Sequence, residues 1–146
     1  MSMSYWLLEG VGICADEIVP HIENEKLAHM LLKEMPEDEE LISIVKNKKY
    51  DELQIDEFLY GEPYDSVAEM LTVCDDTDSI TYGDDGEGTS YFYYPPSMPW
   101  HQTDTEPQSL EEVHKRIINA VQKITSLSNE DIAKIIDDEL YVVGFG

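Results

Sequence analysis

The sequence predicts an α+β fold: a small, mainly antiparallel sheet of about four strands with helices packed on it. Three observations carry this. Apolar, strand-like runs stand near both ends of the chain, at residues 5–13 and 141–145. Two further strand-like runs, 79–82 and 90–94, flank the Gly-Asp-Asp-Gly-Glu-Gly turn at 83–88 and form a hairpin. Segments with helical apolar spacing lie before and after that hairpin, so helices cover one face of the sheet. At 146 residues the chain has the length of one domain, 1–146.

The first run, Tyr5-Trp6-Leu7-Leu8-Glu9-Gly10-Val11-Gly12-Ile13, reads as a buried strand. Its two-residue period puts Gly10 and Gly12 on the face of Trp6 and Leu8, leaving room for a close neighbour, a helix or a bulky ring. Residues 16–22 form a short turn limited by Pro20. Asn24 caps a helix over 25–35, where Leu27, Ala28, Leu31, Leu32 and Met35 make a stripe. Pro36 ends it and Asp38 opens the next, with Leu41, Ile42, Ile44 and Val45 on its core side. Lys46, Lys48 and Lys49 suit that helix's negative C-terminal end. Residues 51–60 read as a short helix ended by Gly61, and Asp65 or Ser66 caps another over 67–73. Pro95, Pro96 and Pro99 take the chain out of the sheet into a loop through Gln108. Ser109-Leu110-Glu111-Glu112 is a capping box for a helix carrying Val113, Ile117, Ala120, Val121 and Ile124. Ser128 begins the last helix. The apolar strand at 141–145 then pairs with the first strand as a central neighbour, since an unpaired apolar edge aggregates.

Charge is the outlying property. Thirty-two Asp and Glu stand against nine Lys and Arg, a formal −23 at pH 7. Solubility alone asks for a net charge of about 2 to 8 in magnitude in a small domain. Contact with nucleic-acid phosphates requires clustered Lys and Arg, and Arg116 is the sole arginine. An anionic membrane surface repels such a chain. Cys14 and Cys74 form no CxxC pair and read as small buried side chains. Without a signal-like start or an apolar run of about 20 residues, a cytoplasmic location is expected.

No catalytic constellation is legible. His21, His29, His101 and His114 sit in no metal-ligand spacing, and no GxSxG elbow occurs. The chain is therefore expected not to be an enzyme, with no catalytic residue, cofactor or bound metal. The candidate partner-binding groups are four carboxylate clusters: Glu37, Asp38, Glu39 and Glu40; Asp75, Asp76 and Asp78; Asp84, Asp85 and Glu87; and Asp137, Asp138 and Glu139. Aromatic anchors beside them are Tyr91, Tyr93 and Trp100, residue types enriched at interface centres. The Asp75–Glu87 stretch also holds hard oxygen donors suited to Ca²⁺ or Mg²⁺. It fails the EF-hand pattern, because a loop begun at Asp76 puts Ile80 and Thr81 at positions five and six.

The run from Tyr5 to Ile13 and the segment Tyr93-Tyr94-Pro95-Pro96 resemble small uncharacterised proteins of bacteriophages and prophages. The resemblance covers short segments and carries over no residue roles. In charge the chain also resembles DNA-mimicking inhibitors such as phage anti-restriction and anti-CRISPR proteins. The expected function is thus a non-enzymatic interaction protein binding a basic protein surface, in one form a mimic that inhibits a nucleic-acid-binding enzyme. Two other classes stand beside it: an acidic immunity or regulatory module binding through the aromatic patch, and a divalent-metal-dependent enzyme using the Asp75–Glu87 stretch.

Overall fold

The computed structural model describes residues 4–61, 63–95 and 109–146. In chain order the elements are β1 (Tyr5–Cys14), α1 (Asn24–Glu34), α2 (Glu39–Lys46), α3 (Val67–Cys74), β2 (Thr81–Asp84), β3 (Ser90–Tyr94), α4 (Leu110–Gln122), α5 (Asn129–Ile135) and β4 (Asp137–Phe145). Short 3-10 turns fill Ala15–Glu17, Val19–His21, Tyr50–Glu52 and Ile55–Phe58. The four strands form one antiparallel sheet in the order β2-β3-β1-β4. The α+β class read from the sequence is the class observed.

Helix starts follow local chemistry. The side chains of Asp38, Ser66, Ser109 and Ser128 accept hydrogen bonds from the backbone N–H groups of Leu41, Glu69, Glu112 and Asp131. Each satisfies an otherwise orphaned donor, worth about 1 kcal/mol. Helix α1 departs from expectation: Glu23 is its N-cap residue and makes no side-chain cap, while Asn24 lies inside the first turn and donates its amide to the Tyr50 carbonyl.

Three other expectations are corrected. Residues 51–60 make two separate 3-10 turns rather than a helix. Their buried anchors Leu53 and Phe58 are five positions apart, which one helix face does not bring together. Strand β2 starts at Thr81, not Ser79. The Asp75 carboxylate takes the N–H groups of Ser79 and Ile80, so these cannot join the sheet ladder. Strand β4 begins at Asp137 rather than Tyr141 and pairs beside β1 as expected, but it is an edge strand, not a central one. Strand β1 already has β3 on its other side, so the sheet ends at β4.

The core lies between the helices and one face of the sheet. Ile13 faces Phe92 across the β1–β3 ladder, and Tyr82 flanks Phe92 from β2. These meet Leu27 and Leu31 of α1, Leu41 of α2, Met70 and Leu71 of α3, and Ile117 and Val121 of α4.

The opposite face is shaped by glycines and one indole. At Gly10 the backbone takes φ +146°, and a Cβ there would collide with the Tyr94 carbonyl oxygen. Between Gly10 and Gly12 the single residue Val11 of β1 opposes two of β4, Asp138 and Glu139, a bulge on the β4 side that bends the pair. Beyond this bend Leu8 packs on Gly83 of β2, and the Trp6 indole donates to the Asp84 carbonyl at 2.7 Å. The room at Gly10 and Gly12 is thus filled by β3, and the bulky ring sits elsewhere: Trp6 lies over Gly144. The end of β4 meets the hairpin tip, where the Phe145 N–H donates to the Asp85 carbonyl. Replacing Gly144 with Val puts methyl groups inside the Trp6 ring. Chemical denaturation is expected to register a loss of about 1–3 kcal/mol, the usual cost of overpacking.

Candidate functional site

The carboxylate clusters stand on turns and element ends. Glu37, Asp38, Glu39 and Glu40 surround the start of α2, where Asp38 serves as its cap and the three glutamates are exposed. Asp75 differs from its neighbours. It is buried, and its two oxygens accept from the Thr77 N–H and hydroxyl and from the N–H groups of Ser79 and Ile80. It builds the loop from α3 to β2 and does not face outward. Asp76 and Asp78 are exposed. Asp76 pairs with the Lys123 ammonium at 2.7 Å, and that hydrogen bond holds its carboxyl below the usual range.

In the hairpin tip, Asp84 accepts from the Gly86 N–H, and Asp85 accepts from Glu87 and Thr89. The backbone bond from Glu87 leads the causes that lower the Asp85 carboxyl. Both residues shape the turn, while Glu87 points to solvent. Asp137, Asp138 and Glu139 are exposed at the start of β4. Asp138 meets the His114 ring of α4, and Asp137 accepts from the Glu139 N–H.

These clusters do not converge on one spot. Asp137 and Phe145, the latter tied to the hairpin tip, mark opposite ends of β4. Eight residues at 3.3 Å set them roughly 26 Å apart along the strand. His114, beside Asp138, and Lys123, beside Asp76, are nine residues apart along α4 and its end, a rise of roughly 14 Å. Among the described residues no three Asp, Glu, His or Cys side chains gather in a geometry that could hold a metal ion. None of the described helices is long and apolar enough to cross a membrane.

Of the aromatic candidates, Tyr91 and Tyr93 are half-buried on the sheet face opposite Phe92, and burial leads the causes that raise both phenols. Trp100 and His101 lie outside the described residues. The strongly exposed rings are others. Beside Tyr60 at 81%, the strand residues Tyr5, Tyr141 and Phe145 are 76%, 64% and 52% exposed. Sequence reading placed them in apolar strands and so inside. Strand period identifies which residues share a face, but not whether a helix covers it.

Three of the nine cations, Lys26, Arg116 and Lys123, make side-chain hydrogen bonds or ion pairs among the described residues. Lys26 donates to the carbonyls of Gln122 and Thr125, and Lys123 to that of Cys74, so each ties down a helix C-terminal end. Both line a groove of about 590 Å³ between α1 and the ends of α3 and α4, where Glu23, Glu25 and Glu34 offset Lys26, Lys33 and Lys123. A second groove, of about 580 Å³, has Val11, Leu110, Val113 and Leu140 on its walls and Glu9, Asp138 and Glu139 on its rim. Cys74 is buried at the first groove, and burial pushes its thiol up to about 12.

No known protein family, curated protein or solved structure matches the chain.

Two outcomes follow from these placements. Asp75→Ala removes the shared acceptor of four donors, the buried Ile80 N–H among them, so urea denaturation is expected to show about 2 kcal/mol lost. Glu87→Gln is expected to stay within about 0.5 kcal/mol. Cys74 and Tyr64 both have native values near 12, raised chiefly by burial from 9.0 and 10.0. Above pH 9 the unfolded chain sheds these protons first, so the native state holds more of them and stability falls as pH rises. The thermal midpoint is expected to decline between pH 9 and 12, and Cys74→Ala is expected to remove the earliest part of that decline.

Proposed function

We propose that this protein is a non-enzymatic interaction protein that binds a basic protein surface. In the form its composition favours, it inhibits a nucleic-acid-binding enzyme by offering carboxylates where that enzyme meets phosphates. The observation that carries this reading is the unneutralised surplus. The chain has a formal charge of −23. Among the described residues, ion pairs engage Asp138, Glu112 and Asp76, and the first of these counts only when His114 is protonated. Lys26 turns to backbone carbonyls, and Lys123 divides its ammonium between the Cys74 carbonyl and Asp76.

Exposed like charges repel one another and disfavour the compact state. A basic partner relieves that repulsion and is drawn in faster by the field. Carboxylates set tens of ångströms apart fit an extended basic groove better than a single cationic point. The compositional resemblance to DNA-mimicking inhibitors supports the same form.

The test is capture of partners by the immobilised protein at low and at high salt, followed by competition with duplex DNA. A basic, nucleic-acid-binding protein is expected to be retained at low salt, released at high salt and displaced by DNA. Changing Glu37, Glu39 and Glu40 together to Gln is expected to slow association severalfold with the fold intact, since rim charges act mainly on the on-rate. Asp84 and Asp85 are poor choices for this purpose because they hold the hairpin turn. Retention of no basic protein at low salt overturns the reading.

A further inference from the structure

The helices cover only part of the sheet. Val11 and Ile13 of β1 lie against the core, but earlier residues on the same face do not. Tyr5, Leu7 and Glu9 pair across β1–β4 with Phe145, Val143 and Tyr141. Every apolar member of these pairs is exposed: Tyr5, Leu7, Tyr141, Val143 and Phe145. The result is a continuous apolar ladder on the outside of a two-stranded ribbon. Ser4 and Gly146 exchange both backbone hydrogen bonds. By the antiparallel alternation, the ladder pairs are therefore the non-hydrogen-bonded ones, whose side chains stand closest.

The same alternation fixes the outer edge of β4. Phe145, Val143 and Tyr141 direct their N–H and C=O groups away from β1. At one end the Phe145 N–H is taken by Asp85, and at the other the Glu139 N–H is taken by Asp137. Between them, the backbone groups of Tyr141 and Val143 meet no partner among the described residues. This edge carries none of the usual blocks: no Pro, no Lys and no bulge at Tyr141 or Val143.

Charge selects the occupant. The ladder runs between two carboxylate clusters, Asp137–Glu139 at its start and Asp84–Glu87 at its end, with Glu9 on the face itself. The apolar groove beside α4 opens next to Tyr141 under the rim of Glu9, Asp138 and Glu139. A second copy brings another −23 to the same surface, so self-pairing works against this field. We infer that the β1–β4 ribbon is the docking surface for an extended segment of a basic protein, which adds as a strand along Tyr141 and Val143. Its alternate apolar side chains lie on the ladder, and its Lys or Arg side chains reach the carboxylates at the two ends. Main-chain bonds and apolar contacts set the affinity of such strand addition, and the charges set the approach. This inference rests on the reading that the partner is basic and places its contact.

Two synthetic peptides of equal length and charge separate the claims: Lys alternating with Val, and Lys alternating with Ser. Both are expected to bind the whole protein at low salt. The Val peptide is expected to bind at least about tenfold more tightly, and to slow amide exchange at Tyr141 and Val143. Tyr141→Ser with Val143→Ser is expected to erase that advantage while leaving the thermal midpoint and the binding of the Ser peptide in place. Equal binding of the two peptides, with Tyr141 and Val143 unchanged, overturns the ladder and leaves the acidic-surface reading standing. Binding of neither at low salt overturns both. A dimer of the free protein that Tyr141→Ser dissolves, or slow exchange at Tyr141 and Val143 in the free monomer, overturns the ladder because it is then already covered.

Discussion

The bend of β1 at Gly10 and Gly12 is the constraint on which the rest of the structure depends. The chain passes close against the Tyr94 carbonyl with φ +146° at Gly10, a combination of tight approach and positive φ that only glycine accepts without strain. Before the bend, β1 belongs to a two-stranded ribbon with β4. After it, β1 belongs to the helix-covered sheet with β3. One strand thereby serves two environments. The bend also turns the ribbon so that Leu8 reaches Gly83 and Trp6 reaches Asp84. The Trp6 ring needs Gly144 beneath it, and the hairpin tip needs Phe145 beside it. These contacts lock the projecting ribbon to the body of the fold without help from a helix.

Acidity and architecture are linked through the few cations. Arg116 reaches Ser79 and Glu112, Lys123 reaches Cys74 and Asp76, and Lys26 reaches the end of α4. Each holds segments distant in sequence. The carboxylates divide in the same way. Asp38, Asp75, Asp84, Asp85 and Asp137 satisfy backbone donors, whereas Glu37, Glu39, Glu40, Glu87 and Glu139 mostly face water. The short aspartate side chain bonds the nearby backbone readily; the longer glutamate carries its charge outward. Within the four clusters Asp mostly satisfies the backbone and Glu mostly builds the field.

Much of the fold was legible in the sequence because its signals are local. A Ser or Asp ahead of an apolar stripe marked the starts of α2, α3, α4 and α5, and glycine-rich turn chemistry marked the hairpin. What escaped was set by contacts between distant residues. The start of β2 at Thr81 depends on a carboxylate six positions upstream, Asp75, that removes two backbone donors from the sheet. The place of β4 at the edge depends on which side of β1 was already taken by β3. For the candidate site, composition revealed the charge and spacing revealed the clusters. The exposure of Tyr141, Val143 and Phe145 was hidden, since an apolar run looks the same in sequence whether or not a helix lies over it.

The lysine ties have a practical corollary. Amine-directed chemistry, such as coupling to a dye, a resin or biotin, falls on a small set of primary amines in this chain. Two of them, Lys26 and Lys123, fasten the ends of α4 and α3 to their surroundings. Acylation turns an ammonium that donates to several carbonyls into a neutral amide with a single N–H, and it loosens the same joints that keep the helical layer in register. A thiol introduced at an outward glutamate such as Glu40 is the gentler handle, because burial raises both native thiols, the buried Cys74 and the half-buried Cys14, and so lowers their thiolate fraction at neutral pH.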